Sequence, residues 1–312
     1  MAEMKAFVGV TDGDWHELLS KQERLEEVNF WQPSGAHTFR ALEPGGLFLF
    51  KLHSPRNHIV GGGIFAHSTL LPASLAWETF RIGNGATSLL EMRRRVEKYR
   101  RDPAHPHEDY KIGCILLEQP FFLPESQWIP APRDWHPNIV QGKGYELTGE
   151  IGRELWGQVQ NALAGREQPS PLAPVAEPGE RYGEPILLRP RLGQGSFRIA
   201  VIDVYERRCA VTRERTLPAL EAAHIRPFGE GGEHRIDNGL LLRRDLHALF
   251  DRGYVTVTPE MRLAVSRRIR DDFENGRDYY ALQGREVWRP AGPRTRPRDE
   301  LLRWHNESCY LG

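Results

Sequence analysis

The spacing of apolar positions changes repeatedly along the chain, and each change predicts an element. KAFVGVTD predicts a short strand, and Asp12 or Asp14 stands where a helix over Trp15 to Lys21 needs its cap. GLFLFKLH and IVGGGIFAH predict two more strands, joined by the turn-rich SPRNH. SLAWETF and SLLEMRRRVEKYR predict helices; in the second, Leu89, Leu90, Met92, Val96 and Tyr99 fall near one face. KIGCILLEQPFFL predicts a further strand that Pro120 is expected to end.

The pattern then stops. ALAGREQPSPLAPVAEPGERYGEP, from Ala162 to Pro185, is rich in Pro, Gly, Ala and Glu and has no apolar period. Such a stretch buries too little surface to fold and reads as a semi-extended tether. The chain is therefore expected to hold one domain over residues 1–160, a linker over 161–186 and a second domain over 187–312. In the second domain Phe197, Val201, Val204 and Tyr205 recur at helical spacing. RCAVTRERTLPALEAAHI suggests two short strands joined by a polar turn. NGLLLRRDLHALFDRG predicts a helix stopped by Gly253, and YVTVTPEMRLAVS a hairpin. The second domain thus reads strand–strand–loop–helix, and the fold class of the whole is α+β.

Composition modifies this picture only regionally. The chain has 42 Lys+Arg and 42 Asp+Glu, and neutrality argues against a phosphate-seeking protein. The halves differ, however: residues 1–160 hold 17 basic and 20 acidic side chains, residues 161–312 hold 25 and 22. Every basic residue after Lys143 is Arg, whose planar fork suits phosphates and base edges. Cys114, Cys209 and Cys309 are too far apart for a disulfide framework or a paired metal knuckle. No apolar run approaches the ~18 residues of a membrane span, and MAEMKAF lacks a signal peptide's apolar stretch. A cytoplasmic protein without a membrane partner is expected.

The candidate chemistry lies in AHIRPFGEGGEHRIDNGLLLRRDLHALFD, where His224 is followed by Asn238 and then His247. Singly, these read as a core histidine, a turn residue and a helix-surface residue. In this order and spacing they resemble the HNH nucleases, whose fold is the ββα-metal finger. CAVT, EAAHIRP and NGLLLRRDLHALFDRG resemble in particular the branch found in bacterial restriction endonucleases. The resemblance implies phosphodiester hydrolysis, with His224 as general base, Asn238 holding that imidazole or its loop, and His247 binding one divalent cation, Mg²⁺ or Mn²⁺. Many members carry a metal-ligating Asp or His directly before the base; here that residue is Ala223. Glu221, on the same side of the strand as Ala223, and Asp245 are the candidate substitute ligands. Arg243 and Arg244 are candidate phosphate contacts. His234 is expected to be solvated and Trp304 to pack in the core. Thr212 stands where a second knuckle cysteine would be, so no structural zinc is expected.

In the first half FVGVTD, VNFWQPSG, FRALEPGGLFLFKLH and IVGGGIF resemble the PUA-like superfamily, which includes EVE, ASCH, YTH and SRA modules. That implies a mixed β-barrel and a pocket for a flipped, often modified base, which stacking and edge hydrogen bonds would hold. Trp31 is the stacking candidate, Asn29, Gln32 and Ser34 the edge readers, and Lys51 and Arg56 the phosphate contacts. Together the halves resemble a modification-dependent (type IV-like) restriction endonuclease acting on double-stranded DNA. A double-strand break would then require a homodimer or two binding events. The alternatives are an HNH nuclease that reads unmodified sequence, and a non-catalytic nucleic-acid-binding protein with a degenerate finger.

Overall fold

The computed structural model describes residues 5–100, 105, 108–164 and 193–312. The chain divides into two compact units, Met1–Pro190 and Arg191–Gly312. The expected linker lies largely outside the described residues, as do Arg189 and Arg191.

The first unit is built on a mixed sheet. Its elements are β1 (Lys5–Thr11), α1 (Gly13–Ser20), β2 (Glu27–Gln32), β3 (Leu47–Leu52), β4 (His58–Pro72), α2 (Ala73–Phe80), α3 (Leu89–Tyr99), β5 (Lys111–Phe122), β6 (Ile129–Pro130), β7 (Gly142–Glu146) and α4 (Glu150–Ala164). The strand order is β2-β5-β4-β3-β1-β7, with β6 paired to β4. β1 and β3 are parallel and the other pairs antiparallel. Among the described strands no hydrogen-bonded pair joins β2 to β7, so the expected barrel is an open-ordered sheet in its hydrogen bonding.

Both faces of that sheet are buried, which explains the apolar run Leu47–Phe50 in β3. Leu47 and Leu49 join Ala6, Val8 and the α4 residues Leu155, Val159 and Ala162 on one face. Phe48, Phe50 and Leu52 join Trp15, Phe30 and Phe65 on the other. There the rings meet at angles: Trp15 is edge-on to Phe50 at 5.0 Å and to Phe30 at 5.6 Å. Such pairs add about 0.5–1.5 kcal/mol each beyond burial. α1 is capped as expected, Asp12 accepting from the Asp14 amide at 2.8 Å. Two expectations change. Pro120 does not end β5, which continues to Phe122: Gln119 takes φ 48° and the β4 register shifts there, so the proline sits at an irregularity that needs no ladder bond from it. In α3, Met92 and Val96 are buried but Leu90 is 60% exposed.

The second unit contains α5 (Gln194–Val204), β8 (Leu220–His224), β9 (Gly239–Arg243), α6 (Arg244–Asp251), β10 (Val255–Val257), β11 (Leu263–Val265), α7 (Arg268–Phe273), α8 (Arg277–Tyr280) and α9 (Asp299–Ser308). Here the expected topology is corrected. The segment around Cys209 is not a strand, and β8 pairs instead with β9, on the far side of the long loop. Leu240, Leu241 and Leu242 are all buried, so they carry no alternation and read equally as helix. The order is strand–loop–strand–helix, with the helix confined to Arg244–Asp251. Gly253 at φ 73° lets the chain turn out of α6 into the expected hairpin of β10 and β11. Among the described residues no helix is long and apolar enough to cross a membrane.

Candidate active site

The register of β8 and β9 sets the site. His224, the last residue of β8, lies opposite Gly239, the first of β9. A Cβ at Gly239 would lie 2.5 Å from Val201 Cγ2 and 3.1 Å from the Phe197 ring, so the glycine lets α5 close on the hairpin. Phe197 in turn stacks flat on His224, with centroids 3.9 Å apart and planes 14° apart.

Asn238 does not bond the His224 imidazole. Its side-chain amide donates to the carbonyls of Arg226 and Glu233, both at 2.9 Å, and its Oδ1 accepts from the Arg226 amide at 2.9 Å. The Ile225 amide donates to the Asn238 carbonyl at 2.9 Å. Asn238 is thus the clasp of the loop that begins at His224. His234 is not simply solvated: its Nδ1 lies 2.8 Å from His224 Nε2, and its ring stacks on Phe228 at 4.9 Å. Burial first, then the neighbouring His234 and His247, push the His224 imidazole down to about 4. It is therefore unprotonated at neutral pH, as a proton acceptor must be.

α6 follows β9 without a break and brings His247 back to the hairpin. Its Nδ1 is 3.0 Å from Glu221 Oε2 and its Nε2 is 3.3 Å from Asp251 Oδ2. Burial lowers its affinity for a proton, but the bonds to Asp251 and Glu221 outweigh burial and raise it. Asp251 is one helical turn beyond His247, a spacing visible in the sequence and missed there. Asp245 is not with this group. Arg243 holds it with a two-pronged contact, Nε–Oδ1 at 3.0 Å and Nη2–Oδ2 at 2.5 Å, which also engages Arg243. Arg244 is half-exposed, with Nε 3.0 Å from Glu221 Oε1. Trp304 is not core: it lies partly exposed under the Arg226 guanidinium at 5.1 Å, while its neighbour His305 is buried.

The donors are those a divalent cation can use: the carboxylates of Glu221 and Asp251, which suit hard ions, on either side of the His247 imidazole, a borderline donor. Among the described residues no three His, Cys, Asp or Glu side chains converge as a metal cage. Mg²⁺ is commonly bound through only one or two carboxylates, its other ligands being water and substrate phosphate.

A separate feature lies in the first unit. A cleft of about 1570 Å³ opens beside β1 and β2, lined by Trp31, Gln32 and Ser34 among others. Three of the four expected base contacts therefore share one cavity. Asn29 does not: it is fully buried, its amide donating to Asn84 Oδ1 at 2.9 Å and to Cys114 Sγ at 3.4 Å. Trp31 is anchored through its indole N–H, which donates to the Asn84 carbonyl at 3.0 Å. Lys51 is not a surface cation either. Only 2% exposed, it donates to the Leu52 carbonyl at 3.0 Å and Asn57 Oδ1 at 2.8 Å, and burial lowers its pKa. Arg56 is exposed but lies outside the cleft lining. Several charged residues line the cleft, Arg40, Arg100, Glu108, Asp109 and Lys111 among them, and Asp12 stands beside its aromatic wall. Burial opposes the charge of Asp12, but the Tyr99 hydroxyl, donating at 2.6 Å, the Asp14 amide and nearby Lys98 and Arg95 keep it ionised. Tyr99 completes the wall, its ring 6.5 Å from Trp31 and parallel to His53.

A hairpin with a histidine at the end of its first strand, an asparagine clasping the intervening loop, and a helix returning a second histidine is the ββα arrangement of metal-finger nucleases. Residues 209–258 match the HNH endonuclease family model, so the chain carries an HNH endonuclease domain and is a nuclease. No curated protein matches the sequence at a significant level. Similar solved structures include the ASCH protein of Zymomonas mobilis, 11% identical, covering 49% of this chain and 94% of that one at a TM-score of 0.31. A mutant of the same protein gives 12% identity, 49% and 96% coverage and a TM-score of 0.32. The modification-dependent restriction endonuclease TagI is 12% identical over 98% of this chain and 81% of its own, at a TM-score of 0.32.

Proposed function

We propose that the chain is a modification-dependent restriction endonuclease, in which the first unit holds a flipped modified base and the second hydrolyses DNA. The observation that supports it most is the aromatic cleft with an ionised Asp12, carried by a compact unit separate from the nuclease. Its ~1570 Å³ exceeds the ~300–1,000 Å³ typical of a single small-ligand site and leaves room for a nucleotide with flanking backbone. Trp31 and Tyr99 offer stacking surfaces. Gln32 and Ser34 offer donors and acceptors for a base edge. A carboxylate is acceptor-only, so Asp12 favours an exocyclic amine over a carbonyl, as cytosine presents. Of the bases with an exocyclic amine, cytosine, adenine and guanine, the one we assign to this set is a methylated or hydroxymethylated cytosine.

In the nuclease site His224 takes the proton of the attacking water. Asn238 holds the loop that orients it. His247, with Glu221 or Asp251, would hold a divalent cation, which would supply charge neutralisation at the leaving oxygen. Arg244 is the phosphate contact best placed to act, beside that pair. The test is cleavage of phage or plasmid DNAs that differ only in cytosine modification, with Mg²⁺ or Mn²⁺. The modified DNA is expected to be cut and the unmodified DNA spared. Equal cutting would leave a nuclease that reads unmodified sequence.

A further inference from the structure

The His224 imidazole is one member of an aromatic column that runs from the core of the second unit to its surface. Buried Phe197 lies flat under His224, His224 Nε2 faces His234 Nδ1 at 2.8 Å, and His234 lies flat on Phe228, with planes 7° apart. Phe228 is 66% exposed, an apolar side chain held at the surface against the His234 ring. We propose that His234 is a positioning residue of the nuclease site, whose Nδ1 accepts from His224 Nε2–H and so leaves His224 Nδ1 as the atom that takes the water's proton. This rests on the reading of His224 as general base.

The argument for this direction is one of valence. A neutral imidazole has one N–H donor and one bare acceptor nitrogen. The contact between the two rings uses a donor from one and an acceptor from the other. If His234 donated, the acceptor nitrogen of His224 would be occupied and its Nδ1 would carry the hydrogen, leaving no site for a proton. If His224 donates, its Nδ1 lone pair is open. Proton transfer then forms one N–H bond at His224 Nδ1 and breaks one O–H bond of water. The existing Nε2–H bond to His234 becomes charge-assisted, and such bonds are roughly twice as strong. That offsets the burial that disfavours a His224 cation. The other groups bearing on His224 are His247 and Asp251 from α6 and the uncharged Phe197 from α5. The flat contacts of Phe197 and Phe228 hold the two rings in fixed orientations, their planes 58° and their centroids 4.9 Å apart.

The test uses the full chain and two readouts. Long-range ¹H–¹⁵N correlation of histidine side chains at neutral pH reports the tautomer directly and needs no substrate. His224 is expected as the Nε2–H form with a downfield, hydrogen-bonded proton shift in the wild type and in His234→Asn, whose side-chain oxygen replaces the Nδ1 acceptor; in His234→Ala that shift is expected to be lost. A His224 protonated at Nδ1 in the wild type, or an Nε2–H shift unchanged in His234→Ala, overturns the proposal. Hydrolysis of bis(p-nitrophenyl) phosphate with Mn²⁺ gives the second readout. His234→Ala is expected to lower kcat about 10–100-fold at unchanged KM, and His234→Asn to recover to within about threefold. Equal losses in the two variants, or none in either, also overturn it. His224→Ala is the control for the underlying reading: wild-type turnover there removes the general base, while the tautomer result still decides the role of His234.

Discussion

At the scale of residues, three histidines of the second unit show how environment divides one side chain among different roles. His224 and His305 are both driven down to about 4 by burial, but His305 is fully bonded, to Thr256 Oγ1 at 2.8 Å and the Phe250 carbonyl at 3.1 Å, and packs flat on Phe250. It is a core element. His247, only partly buried, is disfavoured as a cation by that burial, but its proton affinity is raised by two carboxylates. His224→Ala should lower kcat by about 10²–10⁴-fold with DNA binding retained, measured by single-turnover cleavage beside a filter-binding titration. In the cleft, Trp31→Ala should weaken binding to modified DNA by about 1–3 kcal/mol while bis(p-nitrophenyl) phosphate hydrolysis stays unchanged. Asp12→Asn replaces an acceptor with a mixed group, and should narrow the preference for modified cytosine in competition binding. These assignments were only partly legible. His224, Asn238 and His247 follow from order and spacing. His234 and Asp12 did not, because each acquires its role from a partner distant in the chain, His224 ten residues away and Tyr99 eighty-seven.

At the scale of elements, the hairpin of β8 and β9 is the part that folding had to decide. GLLL has no polar position to reveal a period, and the helical RRDLHALF that follows invites extension of the helix backwards. Pairing with β8 makes it a strand, with every leucine buried. Gly239 is the tight point of that packing. Gly239→Ala should destabilise the second unit by about 1–3 kcal/mol through overpacking against Val201 and Phe197, seen as a lower denaturant midpoint. Gly253→Ala meets a different obstacle: φ 73° is unfavourable for a side chain, and the new Cβ would strike the Cys309 carbonyl. In the first unit Asn29 shows the same dependence on pairing. The register of β2 with β5 places it opposite Leu116 and turns it to Asn84, while its neighbours Trp31 and Gln32 border the cleft.

At the scale of the whole molecule, neutrality conceals a slightly acidic first half and a slightly basic second one. Several arginines of the second unit are already engaged: Arg243 by Asp245, Arg213 over Trp288, Arg226 over Trp304. Non-specific attraction to DNA should therefore be weak, and binding to unmodified DNA at physiological salt poor, with a shallow dependence on salt. Tight binding to unmodified DNA in that titration would contradict the proposed reader. Stability should also depend on pH with a definite sign. His305 and His224 stay neutral in the fold down to about 4, whereas the ordinary imidazole value is 6.5. The unfolded chain takes up these protons first. The contribution is complete above about 6.5 and is lost as pH falls towards 4, by up to about 1.4 kcal/mol per pH unit for each group. Melting temperature should fall over that window, and less steeply in His305→Gln.

By itself the sequence determined the class of the protein: the alternation of apolar strands and amphipathic helices in the first half, and a His–Asn–His order whose spacing resembles the HNH nucleases, the family model that residues 209–258 match. Those are properties of spacing, and spacing is written in the chain. The tertiary structure alone decided which groups meet. It paired β8 with β9, set Asp245 against Arg243 and Asp251 against His247, buried Asn29 and Lys51, and set His234 against His224. Such convergence depends on strand register and on which side of an element a side chain leaves, and both are fixed by the packing of segments far apart in sequence.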